Sequence, residues 1–170
     1  MTGVATTPIR EVSWRRRAIC ALVAVTPVVA AAVLANIATT PNIGGWYATL
    51  LKPAFNPPNW IFGPVWTSLY ALMAYAFYRI LAMPDAAAGR MFAIVLFLLQ
   101  ISLNASWSWA FFYAHSPLAG LIVIALMWIV LVNTLVEFVN LDRIAGWALV
   151  PYLAWVSFAA ILNFAIWQLN

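Results

Sequence analysis

Apolar residues fall in five long, nearly unbroken runs, not in the narrow stripes that a soluble helix or strand shows to its core. The runs cover 18–38, 64–81, 91–113, 118–139 and 146–169, and only Arg79 and Glu137 interrupt them with charge, each near the end of its run. A helix needs about 20 apolar residues to cross a hydrocarbon core of about 30 Å. Backbone donors and acceptors in lipid must find partners within their own segment, so each run predicts a helix. The pattern predicts an all-α membrane protein: a five-transmembrane-helix bundle over 18–170, preceded by a basic segment, 1–17. A cleaved signal peptide would also start with Arg15, Arg16 and Arg17, but its apolar core is usually about 7–15 residues. The first run is longer and reads as a retained helix.

Composition agrees with this pattern. Of 170 residues 66% are hydrophobic and 7% charged, against about 25% charged in a soluble domain. The net charge of +4 has a topological origin. Arg10, Arg15, Arg16, Arg17, Arg79, Arg90 and Arg143 all fall on one side of the predicted spans, and Lys52 alone on the other. Basic residues collect on the cytoplasmic side, so the N-terminus is expected inside and the C-terminus outside. No basic stripe interleaved with exposed aromatics suggests nucleic acid as a partner.

Most connections are short. The exception is 39–61, expected on the outer side, which holds "NPPNWIFGPVW" at its junction with the second run. Long connections inside compact domains are usually functional or disordered. Prolines at 53, 57, 58 and 64 with aromatics between them favour an ordered lid, because proline lowers the entropy lost on ordering.

Conventional enzyme chemistry lacks its residues. The acids are Glu11, Asp85, Glu137 and Asp142, none of them at mid-span, and the histidine is His115, in the connection before Ser116 and Pro117. No carboxylate pair, Ser/His/Asp set or His/Cys cluster can be assembled within one span, and no metal site is expected. Ion-coupled carriers usually need acids at mid-membrane. Cys20 stands alone and can form no intramolecular disulfide.

What remains is aromatic. Trp14, Trp46, Trp60, Trp147 and Trp167 lie near span ends, where indoles anchor at headgroups. Trp66, Trp107 and Trp155 lie inside spans. Helical spacing puts Gln100, Asn104, Trp107, Ser108 and Phe111 on one face, Tyr152, Trp155, Ala159 and Leu162 on another, and Trp66, Tyr70 and Met73 on a third. Two amides are costly to leave facing lipid, so the first face should point inward, either to bond neighbouring helices or to line an apolar, aromatic cavity for a small molecule. Ser102, Ser106 and Ala110 lie on the opposite side of the third span and form a small-residue face suited to a homodimer contact.

Three separated stretches then agree in order: "WYATLLKPAFNPPNWIFGPVWTSLYALMAYA" from Trp46, "NASWSWAFF" from Asn104 and "VPYLAWVSFAAILN" from Val150. Together they resemble the tryptophan-rich sensory protein or translocator protein family (TspO/MBR), also called peripheral-type benzodiazepine receptors. The match covers about 43–170. It departs at Phe55, where many relatives carry tryptophan. The resemblance implies a five-helix, often dimeric bundle that needs no cofactor and takes porphyrins, such as protoporphyrin, or synthetic benzodiazepine-type compounds as ligands. It implies a pocket of Tyr47, Trp66, Tyr70, Asn104, Trp107, Trp155 and Ala159, and light-dependent porphyrin breakdown linked to Trp66 and Trp155. Animal members tie sterol recognition to Tyr and Arg near the end of the last helix. That stretch here reads "LNFAIWQLN", so the sterol motif is absent. A porphyrin receptor or sensor leads these expectations; a transporter of tetrapyrroles or lipids and a lipid-filled scaffold are the alternatives. The host membrane, outer, inner or organellar, stays open.

Overall fold

The computed structural model describes residues 13–170. Arg10 and Glu11, and with them part of the basic segment expected at the N-terminus, lie outside the described residues. The described chain is all-helical: α1 Trp14–Ile43, α2 Trp46–Thr49, α3 Asn59–Ala82, α4 Arg90–Ser108, α5 Pro117–Leu141 and α6 Arg143–Leu169. The end of α4 winds into a π-helical turn, Trp109–Tyr113. Four of the long helices, α1, α4 with its π-turn, α5 and α6, are long and apolar enough to cross a membrane. The fifth long helix, α3, is not among them, because Trp60, Trp66, Tyr70, Tyr75 and Tyr78, with Thr67, Ser68 and Arg79, lower its hydropathy.

Helix boundaries reach beyond the apolar runs. α1 continues through Ile43 and α3 begins at Asn59, so the irregular chain within 39–61 narrows to the turn at 44–45 and residues 50–58. Capping explains several ends. Ser13 accepts from the Arg16 amide at 3.3 Å at the start of α1. Ser116 accepts from the Ala119 amide ahead of Pro117, which takes a first-turn position where a missing N–H costs nothing. Asp142 accepts from the Ile144 and Ala145 amides at 2.9 and 3.2 Å to start α6.

The long helices close into a ring in the order α1, α3, α6, α5, α4 and back to α1. One half of the ring is densely packed. Phe77 stacks on Phe97 at 4.1 Å between centroids, and Phe97 on Phe138 at 5.9 Å. Gly146 lets α6 approach α5: a Cβ there would stand 2.8 Å from the Val139 backbone nitrogen. At the same end polar groups tie the helices together. Arg16 and Arg90 share Asp85 at 3.2 Å, Arg90 also donates to the Ile80 and Leu81 carbonyls that end α3, and Arg79 meets Asp142 at 2.7 Å. Lys52 lies at the other end, on the segment between α2 and α3.

Candidate functional site: an uncharged aromatic cavity

The other half of the ring is hollow. A cavity of about 560 Å³ lies between α1, α3, α4 and α6 beneath α2, within the range usual for small-molecule sites. Tyr47, Trp66, Tyr70, Asn104, Trp107, Trp155 and Ala159 all line it, so every residue expected for the pocket is brought to one space. None of its lining residues is charged. Its exposed edges are Asn36 and Thr40 on α1 and Asn59, Trp60, Gly63 and Thr67 on α3, which place the opening between these two helices.

The floor is a chain of hydrogen bonds across four helices. The Tyr70 hydroxyl donates to Asn104 Oδ1 at 3.0 Å, Asn104 Nδ2 donates to the Tyr152 hydroxyl at 3.0 Å, and that hydroxyl donates to Met127 Sδ at 3.4 Å. Tyr152 is fully buried behind the floor and is not part of the lining. Gln100 and Met73, placed by spacing on the same faces as Asn104 and Tyr70, are also fully buried and lie outside the cavity. Neither polar atom of Gln100 has a hydrogen-bond partner among the described residues.

The walls are rings. Trp66 stacks on Tyr70 at 5.4 Å, Trp155 meets Phe62 edge-on at 5.8 Å, and Trp107 stacks on Phe111 at 5.3 Å. The π-turn adds a residue to the last coil of α4, so that consecutive Phe111 and Phe112 both line the cavity, an arrangement found often at functional sites. The Trp107 indole N–H donates to Asn163 Oδ1 at 3.0 Å, and Asn163 Nδ2 donates to the Pro117 carbonyl at 2.7 Å. The indole nitrogens of Trp66 and Trp155 make no hydrogen bond within the described residues, and both residues line the cavity. Asn163 escaped the sequence reading although it sits one position past Leu162, and so did Ala32 and Ala35 of the α1 wall, small residues in an apolar run that give no local signal. Thr39 and Ile43, expected in the lid, instead continue α1 and complete that wall.

Above the cavity the lid is held at several points. The Tyr47 hydroxyl donates to Asn56 Oδ1 at 3.0 Å, and Lys52 Nζ sits 4.6 Å from the Tyr47 ring centroid while donating to the Leu50 carbonyl. Burial pushes the Tyr47 phenol above its ordinary pKa, and the Asn56 hydrogen bond only partly offsets this, so the hydroxyl stays protonated. Asn170 pairs with both backbone groups of Leu51, at 3.0 and 3.1 Å. Trp46 stacks on His115 at 4.8 Å, and His115 bonds Asn42 at 2.9 Å. His115 therefore packs between lid and α1, and no cluster of metal-ligating side chains occurs among the described residues. On the outer face of α4, Ser102 and Ser106 bond back to their own helix carbonyls at 2.8 Å, leaving a smooth apolar groove against Ala30 and Trp109.

The model of the TspO/MBR family matches residues 23–168. Among individual proteins, the tryptophan-rich protein TspO of Chlorobaculum tepidum is 47% identical over 132 residues, which are 77% of this chain and 84% of that protein. Protein CrtK of Rhodobacter capsulatus is 38% identical over 75% of this chain and 79% of its own length. The human translocator protein is 35% identical over 74% of this chain and 75% of its own.

Proposed function

The chain is a membrane protein of the TspO/MBR family, and from that premise we propose that it is a receptor that binds a flat, apolar tetrapyrrole of the protoporphyrin type in its aromatic cavity. One observation carries the reading. Indole and phenol faces wall a space that contains no charge, and a few amides and hydroxyls are placed to orient a guest. In this reading all five long helices cross the bilayer, with the end that carries Arg16, Arg79 and Arg90 cytoplasmic and the lid outside. A second copy would dock on the α4 groove through Ser102 and Ser106, with Ala110 beside them.

Relatives carry both sensory and translocator names. The packed half below the Tyr70–Asn104–Tyr152 floor makes the cavity blind, which favours binding over through-passage. The indoles of Trp66 and Trp155, both in the lining, support a second activity, light-driven electron transfer that consumes the bound porphyrin. A bound porphyrin excited by light can take one electron from an adjacent indole, leaving the porphyrin reduced by one electron and the tryptophan oxidised by one.

The test is titration of purified protein with protoporphyrin in darkness, followed by tryptophan fluorescence. Saturable quenching at one site per chain is expected. Quenching that grows linearly, as in detergent alone, would remove the reading.

A further inference from the structure

An amide on the outward side of α5 is only half satisfied by its own chain. Asn133 is exposed, about 9 Å of helix inside the end of its apolar run at Val139. The exposed serine and threonine hydroxyls within the predicted spans, Thr26, Thr67, Ser68, Ser102 and Ser106, each give their single hydrogen to a carbonyl of their own helix. Asn133 donates one N–H to the Ile129 carbonyl at 2.8 Å, which leaves a second N–H and, among the described residues, an Oδ1 that accepts nothing. The other exposed amides stand at helix ends or on the cavity's opening. A bare amide in hydrocarbon is costly, so polar side chains at such depth face another helix. Asn133 also belongs to a row. Ile122, Leu126, Ile129, Asn133, Val136 and Asn140 are all exposed and follow one another at alternating steps of four and three, the repeat by which two parallel helices keep one seam in contact.

We propose that this face of α5 binds the same face of a second copy of the chain, with Asn133 paired to Asn133 across a two-fold axis. The amide is self-complementary: on that axis the free N–H of each meets the Oδ1 of the other, and both groups are satisfied at one depth. Two copies inserted in the same direction bring their α5 helices together in parallel, as the seam requires. A single asparagine at membrane depth then fixes the register, since a slip by one turn would leave both amides in lipid. The surface is distinct from the α4 groove around Ser106, and the two contacts together would link more than two copies. The inference rests on α5 crossing the bilayer and not on porphyrin binding.

The experiment places single cysteines in the full chain carrying Cys20→Ser and follows disulfide-linked pairs formed with copper phenanthroline in the membranes where the protein is expressed. Ile129→Cys and Val136→Cys should each link to their own counterpart at least about five times faster than Ile161→Cys, an exposed position on α6. Self-linkage at both positions requires parallel helices in register, because an antiparallel pair centred on Asn133 would oppose Ile129 to Glu137. Adding Asn133→Leu should lower both rates by about three- to tenfold, whereas Ser106→Leu should leave them unchanged. Linkage at 129 and 136 no faster than at 161 would leave Asn133 facing lipid and overturn the contact. Unchanged linkage with Asn133→Leu would show that the amide does not hold the two copies, and equal loss with Ser106→Leu would assign the linkage to the α4 groove; either result sinks the proposal. So would a product joining the seam cysteines to another membrane protein, which would give this face a different partner. The contrast among the three cysteine positions needs no change at Asn133, so it decides the proposal even if that variant is unstable.

Discussion

Trp107 and Asn163 stand on different helices, 56 positions apart, and are joined by one hydrogen bond of 3.0 Å from indole to amide. That bond fixes a cavity wall. Asn163 is in turn fixed by the Pro117 carbonyl and by Gly120, where an added Cβ would come within 2.9 Å of Asn163 Oδ1 and 3.0 Å of Phe111. Asn163→Leu keeps similar bulk but frees the indole, and should lower protoporphyrin affinity about tenfold, roughly 1.4 kcal/mol. Gly120→Ala should act in the same direction by displacing Asn163. Unchanged dark titrations for both would show that Trp107 needs no such support.

Asn104 offers a contrast. Its oxygen and nitrogen each already serve a tyrosine, so its first duty is to hold α3, α4 and α6 together. Asn104→Ala should destabilise the detergent-solubilised protein by about 2 kcal/mol, since it strands two hydroxyls. Affinity per folded molecule should change by less than about threefold. A tenfold loss of affinity with intact thermal stability would make the amide a ligand group instead.

Light separates binding from chemistry at Trp66 and Trp155. Trp155→Phe retains an aromatic wall and should bind protoporphyrin in darkness within about threefold of the parent. Phenylalanine is much harder to oxidise, so loss of the bound porphyrin absorbance band under illumination should slow sharply, and Trp66→Phe should behave alike. If the parent consumes porphyrin no faster than detergent does, the two indoles are walls only.

Ser106 tests the assembly surface. Its hydroxyl is turned back onto its own helix, so the groove between α1 and α4 presents apolar atoms and small volumes to a neighbour. Ser106→Leu fills that groove and should weaken crosslinking between copies in membranes. Crosslinking at parental yield would move the contact to another face.

Asp142 predicts a pH dependence. Burial opposes its ionisation, but the hydrogen bonds from Arg79 and from the Ala145 and Ile144 amides outweigh burial and hold its carboxyl below the ordinary value of 3.8. A carboxyl depressed in the native state contributes stability that is fully present above its unfolded value and lost as pH falls through the native one. Melting temperature should therefore decline below about pH 4, and the decline should be shallower in Asp142→Asn, which keeps a capping oxygen and loses the titrating charge. Identical pH profiles would show that another carboxyl governs acid sensitivity.

Much of this molecule was legible in the chain itself. Lipid forbids unpaired backbone groups, so long uncharged runs had to be helices, and spacing within a helix is a local property. That is why Asn104, Trp107 and Trp66 could be placed on inward faces before any neighbour was known, and why four acids and one histidine could be seen to offer no catalytic set within one span. Tertiary structure decided the rest. In lipid an apolar side chain is at home on either face of a helix, so hydrophobicity does not tell cavity from bilayer, and α1 gave no sign that Ala32 and Ala35 form a wall. The same ambiguity hid the ring order, the commitment of Trp107 to Asn163 and the burial of Gln100 below the cavity. The π-turn that brings Phe111 and Phe112 to one side breaks the regular period on which sequence reading depends. Which helix stands beside which, and how each is rotated, is set by packing between segments far apart in the chain, and only the folded bundle contains that information.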